Sequence, residues 1–370
     1  MLAGEAKLAG ADFLAYNVSN CKKKGEKPLI KLMIDAMGGD NAPQAIVEGC
    51  AAALRDMKDL HLTLYGRKEE IEDILNGMEY DKDRLDVVDA REVIDNNEAP
   101  VMAVRRKKDS SVVKALRALA DGQGDGFVSA GSTGAVLAGA TLIVKRIPGI
   151  LRPALAPVLP TKAGKGMLLI DCGANVDCKP QYLAQFGVMG SVYMEKVMGT
   201  KAPKVALINN GAEEHKGNDL TQKAHQMLKR MPIDFTGNVE ARDLVSGETD
   251  VAVADGFVGN VVLKFMEGFA SALMSMLKTE MTSSFRSKMG AALMMPSLKN
   301  FKKKMDYTEY GGAPLLGVNK AIVKAHGSSN SKAFYHAIRQ CRQMCTGNVV
   351  GIIREEIQAL PEGSLEIADV

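Results

Sequence analysis

The chain has 370 residues, enough for one large domain or two medium ones, since domains usually span about 100–200 residues. Its composition, 46% hydrophobic and 25% charged, is ordinary for a globular protein with a sizeable core. The net charge of only +3 argues against a protein whose main partner is nucleic acid, because such domains are strongly basic.

The cysteines and apolar runs exclude further classes of protein. The six cysteines show neither a CxxC motif nor zinc-ribbon spacing, so we expect no metal site. No unbroken run of about 18 apolar residues is present, so the sequence predicts no membrane-spanning helix. Residues 1–28 lack the apolar core of a signal peptide, and we interpret them as a flexible tail or a start codon placed too early. We therefore expect a cytoplasmic protein.

From Leu29 to Lys264, strand-like runs alternate with helical patterns. Strands are predicted at 29–34, 61–65, 85–88, 126–130, 166–171, 204–208 and 251–254, and helices at 43–57, 111–121, 133–146, 181–198 and 218–230. Several of the strands are short, continuous apolar runs, which is typical of strands buried on both faces. The alternation predicts an α/β fold in which helices cover both sides of a parallel sheet, a Rossmann-like three-layer sandwich.

The pattern changes after Lys264. Residues 261–305 are predicted to form a helical amphipathic hairpin that is interrupted at Pro296. Its apolar residues recur at every fourth position: Phe265, Phe269, Leu273, Leu277, Met281 and Phe285. Apolar runs follow at 315–318 and 321–325, and then a last helix at 331–345. We thus expect a catalytic domain over 29–354 that includes the hairpin, followed by a C-terminal tail at 355–370.

Glycine-rich polar turns follow the predicted strands repeatedly. They are Asp35–Asn41, Ser129–Gly134, Asp171–Asn175, Asn209–Gly217 and Asp255–Asn260. Because the carboxyl ends of parallel strands meet at one edge of a sheet, we expect these turns to cluster there. The free amides at the start of a helix that follows such a turn attract an anion. The sequence therefore predicts an anion site, although any single turn could be an ordinary helix cap.

Neither ATP nor NAD is indicated as the anion. The nearest candidate for a Walker loop has Leu159 where the first glycine should stand, and the Gly122–Gly126 run precedes a strand instead of following one. Signatures of a serine or cysteine nucleophile are absent as well, so covalent catalysis is not indicated. A small phosphate, or the phosphate of a carrier arm, fits better, and we expect no cofactor.

The candidate phosphate-binding residues come from these turns: Gly38, Gly39, Asp40, Ser129, Gly131, Ser132, Thr133, Gly134, Asp171, Asn175, Asp255, Gly256 and Gly259. An aspartate at a strand end often only orders its own turn. The candidate catalytic residues are Asn210, His215, Lys216, Asn260 and Lys264. His326, before the last helix, is either catalytic or the buried partner of another group.

Five segments, in this order, resemble the bacterial acyl-[acyl carrier protein]:phosphate acyltransferases: Ile34–Pro43, Ser129–Ala135, Asp171–Asn175, Asp255–Asn260 and Ala325–Ser329. The likeness extends from about Leu32 to Arg354. It implies conversion of acyl-[acyl carrier protein] and inorganic phosphate to acyl phosphate and free carrier, without metal or nucleotide. It also implies a fold similar to those of phosphate acetyltransferases and of isocitrate and isopropylmalate dehydrogenases.

The resemblance further implies partners. The enzyme would be a homodimer that touches the membrane surface without spanning it, and acyl phosphate would feed a membrane glycerol-3-phosphate acyltransferase of phospholipid synthesis. The resemblance assigns no roles to single residues. From their places on or just beyond the strand-end turns, we expect Lys216 or Lys264 to supply charge to the phosphate, and Asn210, His215 or Asn260 to steady the thioester oxygen.

Basic clusters agree with these partners. Arg105–Lys108 and Lys145–Arg146 could receive an acidic carrier protein, or could simply form a solvated face. The hairpin carries basic residues beside its apolar stripe: Lys278, Arg286, Lys288, Lys299 and residues 302–304. A basic amphipathic helix suits an anionic membrane surface, whereas a buried stripe suits a dimer. We expect dimer packing along the stripe and membrane contact at the tip.

Three other functions remain open at this point. A phosphate acyltransferase that uses coenzyme A would share the fold and the turns. A decarboxylating dehydrogenase would need a dinucleotide site and a cluster of metal-binding aspartates, and neither is evident. A membrane-surface scaffold for phospholipid enzymes would not need intact glycine-rich turns.

Overall fold

The computed structural model describes residues 29–305 and 310–366, so the tail expected at 1–28 lies outside it. The strands are β1 (Ile30–Asp35), β2 (Leu60–Gly66), β3 (Leu85–Asp89), β4 (Gly126–Ser129), β5 (Ala154–Leu155), β6 (Val158–Pro160), β7 (Gly166–Ile170), β8 (Lys204–Asn209), β9 (Asp234–Glu240), β10 (Val251–Val253), β11 (Ala313–Leu316) and β12 (Ala321–Lys324).

The helices alternate with the strands as the sequence predicts. They are α1 (Gln44–Asp56), α2 (Lys68–Asn76), α3 (Pro100–Arg106), α4 (Ser111–Ala120), α5 (Thr133–Gly139), α6 (Pro180–Lys196), α7 (Asp219–Leu228), α8 (Gly256–Thr282), α9 (Phe285–Met305), α10 (Ser331–Thr346) and α11 (Val349–Gln358). Helix α5 continues as a wider turn over Ala140–Val144. Helix α11 extends past Arg354, where the sequence predicts the C-terminal tail to begin.

The strands form two sheets. The first has the order β3-β2-β1-β4-β12-β11-β5, and the second has the order β6-β7-β10-β8-β9. In the first sheet β1 pairs in parallel with β2 and β4, and β12 pairs in parallel with β4. In the second, β10 lies parallel to β7 and β8. The antiparallel pairs are β11 with β12, β11 with β5, and β6 with β7.

The α/β class and the mostly parallel strands are confirmed, but the single sheet edge expected from the sequence is wrong. Apolar periodicity identifies a buried strand without identifying its neighbours. Here β11 and β12, from the far end of the chain, complete the first sheet. One continuous core nevertheless joins the sheets, because Ile34 and Val128 of the first belong to the same buried cluster as Ile170 and Val253 of the second.

Every strand predicted before Lys264 is present, whereas β5, β6 and β9 were not predicted. Strands β5 and β6 are only two and three residues long. Strand β9 is an edge strand of the second sheet and no residue in it is fully buried, so it lacks a continuous apolar run. Such strands carry too little apolar signal to be found from sequence.

The hairpin is present, but its break is not at Pro296. Helix α8 ends at Thr282 and α9 begins at Phe285, so Pro296 lies inside α9. The serines between the helices decide the break, because the Ser284 hydroxyl accepts a hydrogen bond from the Ser287 amide at 3.1 Å and caps α9.

Helix α8 is also long and apolar enough to cross a membrane by length and composition. The mean hydropathy of its most apolar stretch is 1.3, and only 6% of that stretch is buried. Length and composition alone do not test the sequence prediction that no helix spans a membrane, which rested on a stricter criterion. It required an unbroken apolar run, and the charged Lys264 and Glu267 interrupt one. Because Gly256 and Gly259 in its first turn are buried against the second sheet, α8 starts within the folded domain.

Candidate active site

Asp35 organises the turns after β1 and β4. Its carboxylate is fully buried, accepts the Ser129 hydroxyl at 2.6 Å and accepts the Met37 amide at 3.2 Å. The Ser129 oxygen in turn accepts the Gly131 amide at 3.0 Å. Burial raises the pKa of Asp35, and hydrogen bonds from Ser111 and Ser129 oppose that rise. Asp35 therefore holds these two turns together.

Close backbone contact joins these turns to a third, Ala325–Ser329. A methyl group at Gly38 would lie 2.6 Å from the Gly131 nitrogen, so only glycine fits there. The Asp40 amide donates to the Gly327 carbonyl at 2.8 Å. The Asn41 side chain donates to the carbonyls of Ser328 and Ser329, at 3.2 Å each. Three turns thus interlock at the carboxyl edge of the first sheet.

Helix α5 starts inside this cluster. The Ser132 hydroxyl caps it by accepting the Ala135 amide, and the Thr133 side chain is exposed. The amides of Thr133 and Gly134 have no intrahelical acceptor because they belong to the first turn. The start of α5 therefore offers amides and a hydroxyl to an anion.

Asp171 does for the second sheet what Asp35 does for the first. Its carboxylate is fully buried and accepts the amides of Leu155 at 2.8 Å, Ala174 at 3.2 Å and Asn175 at 2.7 Å. The Asn175 side chain adds a fourth bond at 2.9 Å and also donates to the Pro153 carbonyl. Burial raises the pKa of Asp171 to about 6. Both Asp171 and Asn175 are committed to the geometry of their turn.

The start of α8 packs on this turn. Asp255 caps the helix by accepting the amides of Phe257 at 3.0 Å and Val258 at 2.9 Å. A methyl group at Gly259 would overlap the carbonyl oxygen of Asp171, and one at Gly256 would lie 2.5 Å from the Asn175 carbonyl. Glycines are therefore required where α8 meets the turn.

Asn260, one of the candidate catalytic residues, faces the same turn. A methyl group at Gly173 would lie 3.7 Å from the Asn260 amide carbon. The side chain of Asn260 is exposed, so its amide is accessible to a ligand.

The turns of the two sheets face each other across a narrow crevice. Thr133 from the first sheet, Ala174 from the second and Lys324 at the end of β12 line one cavity. Apolar side chains form the rest of its wall: Val136, Leu137, Leu155 and Leu315. The cavity is small, about 10 Å³, and its surface is almost wholly apolar, so Thr133 and Lys324 border it mainly through their apolar atoms.

Lys324 was not among the residues predicted from the sequence. It is 7% exposed, and burial lowers its pKa to about 8, while Asp35 and Asp40 oppose that shift. A lysine that ends a buried apolar run, Ala321–Lys324, is the signal that could have identified it, because buried lysines are rare without a partner. The positive charge of Lys264 also lowers the pKa of Lys324, so the two lysines lie close enough to interact electrostatically.

The remaining candidates are divided between two places. Lys264 is exposed and pairs with Glu267 at 2.7 Å near the crevice. Asn210 instead lines an open pocket on the other side of the α8 start. His215 is exposed and Lys216 half-buried in the loop beside that pocket.

The open pocket has an apolar floor. Besides Asn209, Asn210 and Gly217, its lining includes Leu207, Ile208, Val258 and Val262. Asp255 also lines it while capping α8, so the first turns of this helix separate the pocket from the crevice. The five turns expected at one edge are thus two groups, one at each sheet.

Other reactive groups near the site are not poised for covalent chemistry. Burial raises the pKa of Cys178 to about 12 and that of Cys172 well above its usual value, so both remain thiols at neutral pH. The His326 ring accepts the Ser328 amide at 3.2 Å and meets its hydroxyl at 2.8 Å, which orders its own turn. Within residues 29–305 and 310–366, no group of three or more His, Cys, Asp or Glu side chains is placed to hold a metal ion.

Comparison with solved structures supports the fold. The chain resembles a phosphotransacetylase from Streptococcus pyogenes with a TM-score of 0.56 at 18% identity, over 86% of this chain and 94% of that one. It resembles a phosphotransacetylase from Staphylococcus aureus with a TM-score of 0.54 at 16% identity, over 86% and 94%. At such low identity these likenesses concern the fold alone.

Sequence comparison is more specific. The phosphate acyltransferase of Clostridium perfringens (strain SM101 / Type A) is 53% identical over 329 residues, which are 89% of this chain and 97% of that protein. The phosphate acyltransferase of Clostridium tetani is 51% identical over 328 residues, 89% of this chain and 98% of that one. The model of the family described as fatty acid synthesis protein matches residues 30–351. The chain therefore belongs to the fatty acid synthesis protein family, as an acyltransferase related to the phosphate acyltransferases.

Proposed function

We propose that the protein transfers an acyl group from acyl carrier protein to inorganic phosphate, giving acyl phosphate and free carrier. The observation that carries the proposal is that the start of α5, the turn 171–175 and the buried Lys324 meet around one small cavity between the two sheets. Because the cavity of about 10 Å³ has room for about one water, phosphate and thioester would bind where these walls open to solvent and not inside it.

The chemistry needs charge placement more than it needs a protein nucleophile. A phosphate oxygen attacks the thioester carbonyl carbon, the tetrahedral oxyanion collapses, and the carbon–sulfur bond breaks to release the carrier thiolate. The amides of Thr133 and Gly134 would hold the phosphate. Asn260, beside Gly173 of the turn 171–175, would donate to the oxyanion, where one well-placed donor is worth about 10²–10³ in kcat.

Direct attack by phosphate is preferred over an acyl-enzyme. The cysteines of the second-sheet turn are held as thiols, with the pKa of Cys178 raised to about 12. At neutral pH such a group is almost entirely protonated, and the thiol is a poor nucleophile. Holding two reactants in the right geometry can by itself supply about 7–11 kcal/mol of the barrier.

Helix α3 connects the crevice to a surface suited to an acidic carrier protein. It begins at Pro100, which packs on Gly134 of the phosphate turn. Its seven residues span about 10 Å at ~1.5 Å per residue. Arg105 and Arg106, at its far end, are exposed.

Apolar residues accompany these charges. Met102, on the same helix, is 44% exposed. Lys107 is engaged by Glu98 at 2.6 Å and contributes less to the surface. A patch of arginines around exposed apolar side chains is typical of interfaces with acidic partners.

Exposed aromatic side chains on the hairpin support the proposal of a homodimer that touches the membrane. Phe265 and Phe269 stack with their ring centroids 5.8 Å apart and are 68% and 58% exposed. A second copy would cover such a stripe. Phe285 is 78% exposed beside the break between α8 and α9 and would enter an anionic membrane surface. Acyl phosphate made there would feed a membrane glycerol-3-phosphate acyltransferase, the enzyme itself remaining cytoplasmic.

Substrate competition tests the proposal. Purified protein is given phosphate with palmitoyl-[acyl carrier protein] or with palmitoyl-coenzyme A, and kcat/KM is measured for each by acyl phosphate formation. We expect the carrier substrate to be preferred by at least tenfold. Preference for coenzyme A would instead identify a coenzyme A-dependent phosphate acyltransferase, and no turnover with either would refute phosphate acyl transfer.

A further inference from the structure

Lys324 occupies an unusual position for a lysine. It is the last residue of β12, opposite Ser129 of β4 in the parallel register, and its side chain is 7% exposed. The ammonium group donates to the carbonyl of Ala130 at 3.4 Å and to that of Ala325. These carbonyls belong to two of the interlocked turns at the sheet edge.

The charge of Lys324 is not neutralised by a direct partner. Within the described part of the chain, no carboxylate lies within 4.0 Å of its nitrogen, although Asp35 and Asp40 act on it from farther away. An ammonium has three hydrogens to donate, and the carbonyls accept two of them. A buried charge is costly unless it is paired, so the third hydrogen and the positive charge are best satisfied by an anion.

The start of α5, the neighbour of Lys324 at the sheet edge, shows where that anion would lie. Lys324 and Thr133 line the same cavity, and Thr133 opens the first turn of α5, whose amides lack acceptors. The surrounding walls are apolar, so water screens the charge little.

We infer that Lys324 binds the phosphate that accepts the acyl group, together with the amides at the start of α5. The inference rests on the proposed function and goes further by assigning the phosphate's main cation to a buried residue outside the glycine-rich turns. Lys264, exposed and paired with Glu267, is then an auxiliary charge at the mouth of the crevice.

A pH dependence follows from this burial. The pKa of Lys324 is lowered to about 8, so the ammonium is present below that pH and is lost as the pH rises through it. Phosphate affinity of the wild-type enzyme should therefore fall above pH 8, with KM for phosphate rising up to tenfold per pH unit.

The test compares Lys324→Met with Lys320→Met. Lys320 lies just before β12 and donates to the Gly124 carbonyl at 3.0 Å, at the end of the strand opposite the crevice. In Lys324→Met we expect KM for phosphate to rise at least tenfold while KM for the acyl carrier stays within twofold. In Lys320→Met both should stay within twofold of wild type.

Phosphate binding is followed separately by the rise in melting temperature with phosphate concentration, which needs no turnover. We expect wild type and Lys320→Met to be stabilised and Lys324→Met not to be. An unchanged phosphate KM and an unchanged melting shift in a folded Lys324→Met would show that the lysine only pins β12 to β4, and would overturn the inference.

The wild-type pH profile decides the matter if Lys324→Met fails to fold. A phosphate KM that stays flat from pH 7 to pH 9.5 would overturn the inference on its own. Failure of the wild type to make acyl phosphate would refute the proposed function instead, and the melting shift would then decide whether Lys324 binds phosphate.

Discussion

Two buried aspartates determine the shape of the site. Asp35 ends β1 of the first sheet and Asp171 follows β7 of the second, and each accepts hydrogen bonds from the turn that follows its strand. A carboxylate occupied in this way has little capacity left for substrate. They hold the turns on the two sides of the crevice, and we propose that backbone amides and the side chain of Asn260 contact the ligand.

Removal of the Asp171 carboxylate should therefore unfold the protein more readily. Asp171→Ala leaves buried amides without acceptors, and hydrogen bonds to charged groups are worth about 1.5–3 kcal/mol each, so we expect a loss of about 3 kcal/mol or more in the free energy of unfolding. Urea titration measures it.

The matched control and the pH dependence sharpen this experiment. Asp177→Ala, an exposed aspartate after the same turn, should change stability by less than about 0.5 kcal/mol. Burial raises the pKa of Asp171 from 3.8 to about 6 in the folded protein. The stability that the protonated carboxyl contributes is therefore lost as the pH rises through about 6. The loss in Asp171→Ala should thus be larger at pH 5 than at pH 8, and equal losses would contradict this account.

At the scale of elements, the start of α8 is fixed by contact with the backbone of the neighbouring turn. Gly259→Ala would overlap the Asp171 carbonyl oxygen, whereas a methyl group at Gly268, farther along the same helix, meets nothing within 4 Å. We expect Gly259→Ala to lower the melting temperature and to reduce kcat by displacing Asn260. Gly268→Ala should stabilise by up to about 1 kcal/mol through helix propensity. Similar melting temperatures for both variants would show that α8 is not held as described.

Helix α3 gives a second prediction at this scale. Arg105→Glu/Arg106→Glu should raise KM for the acyl carrier at least about tenfold, because like charges across an interface cost several kcal/mol. KM for phosphate should not change. The control Lys58→Glu/Lys201→Glu reverses two exposed lysines in the loops before β2 and β8, at the opposite edges of the sheets. A rise in carrier KM of equal size in the control would mean that net charge matters and this patch does not.

At the scale of the whole molecule, most of the strands before Lys264 were predictable, because buried strands appear as continuous apolar runs. The exceptions are the short or edge strands β5, β6 and β9. The division into two sheets was not, since strand partners depend on contacts between distant parts of the chain, such as β4 with β12. The glycine-rich turns were located correctly because each directly follows one of these apolar runs. Lys324 was missed although it ends an apolar run, because its position in the site depends on how three turns interlock.

The exposed apolar side chains of the α8–α9 hairpin lead to a prediction about dimer formation and membrane contact. Phe265→Asp/Phe269→Asp places charges on the exposed stripe and should convert a dimer to a monomer in sedimentation velocity. Phe285→Asp, near the break between the helices, should leave the dimer intact and weaken flotation with vesicles that contain anionic lipid. A monomeric wild type, or vesicle flotation that is unchanged in Phe285→Asp, would contradict this division of roles.

The central claim is that phosphate itself attacks the thioester within the crevice. One measurement tests it most directly: stoichiometric palmitoyl-[acyl carrier protein] is mixed with enzyme, with and without phosphate, and the released carrier thiol is counted against acyl phosphate. We predict no thiol release without phosphate, and equal amounts of thiol and acyl phosphate with it. A burst of thiol stoichiometric with enzyme in the absence of phosphate would reveal an acyl-enzyme and contradict the account.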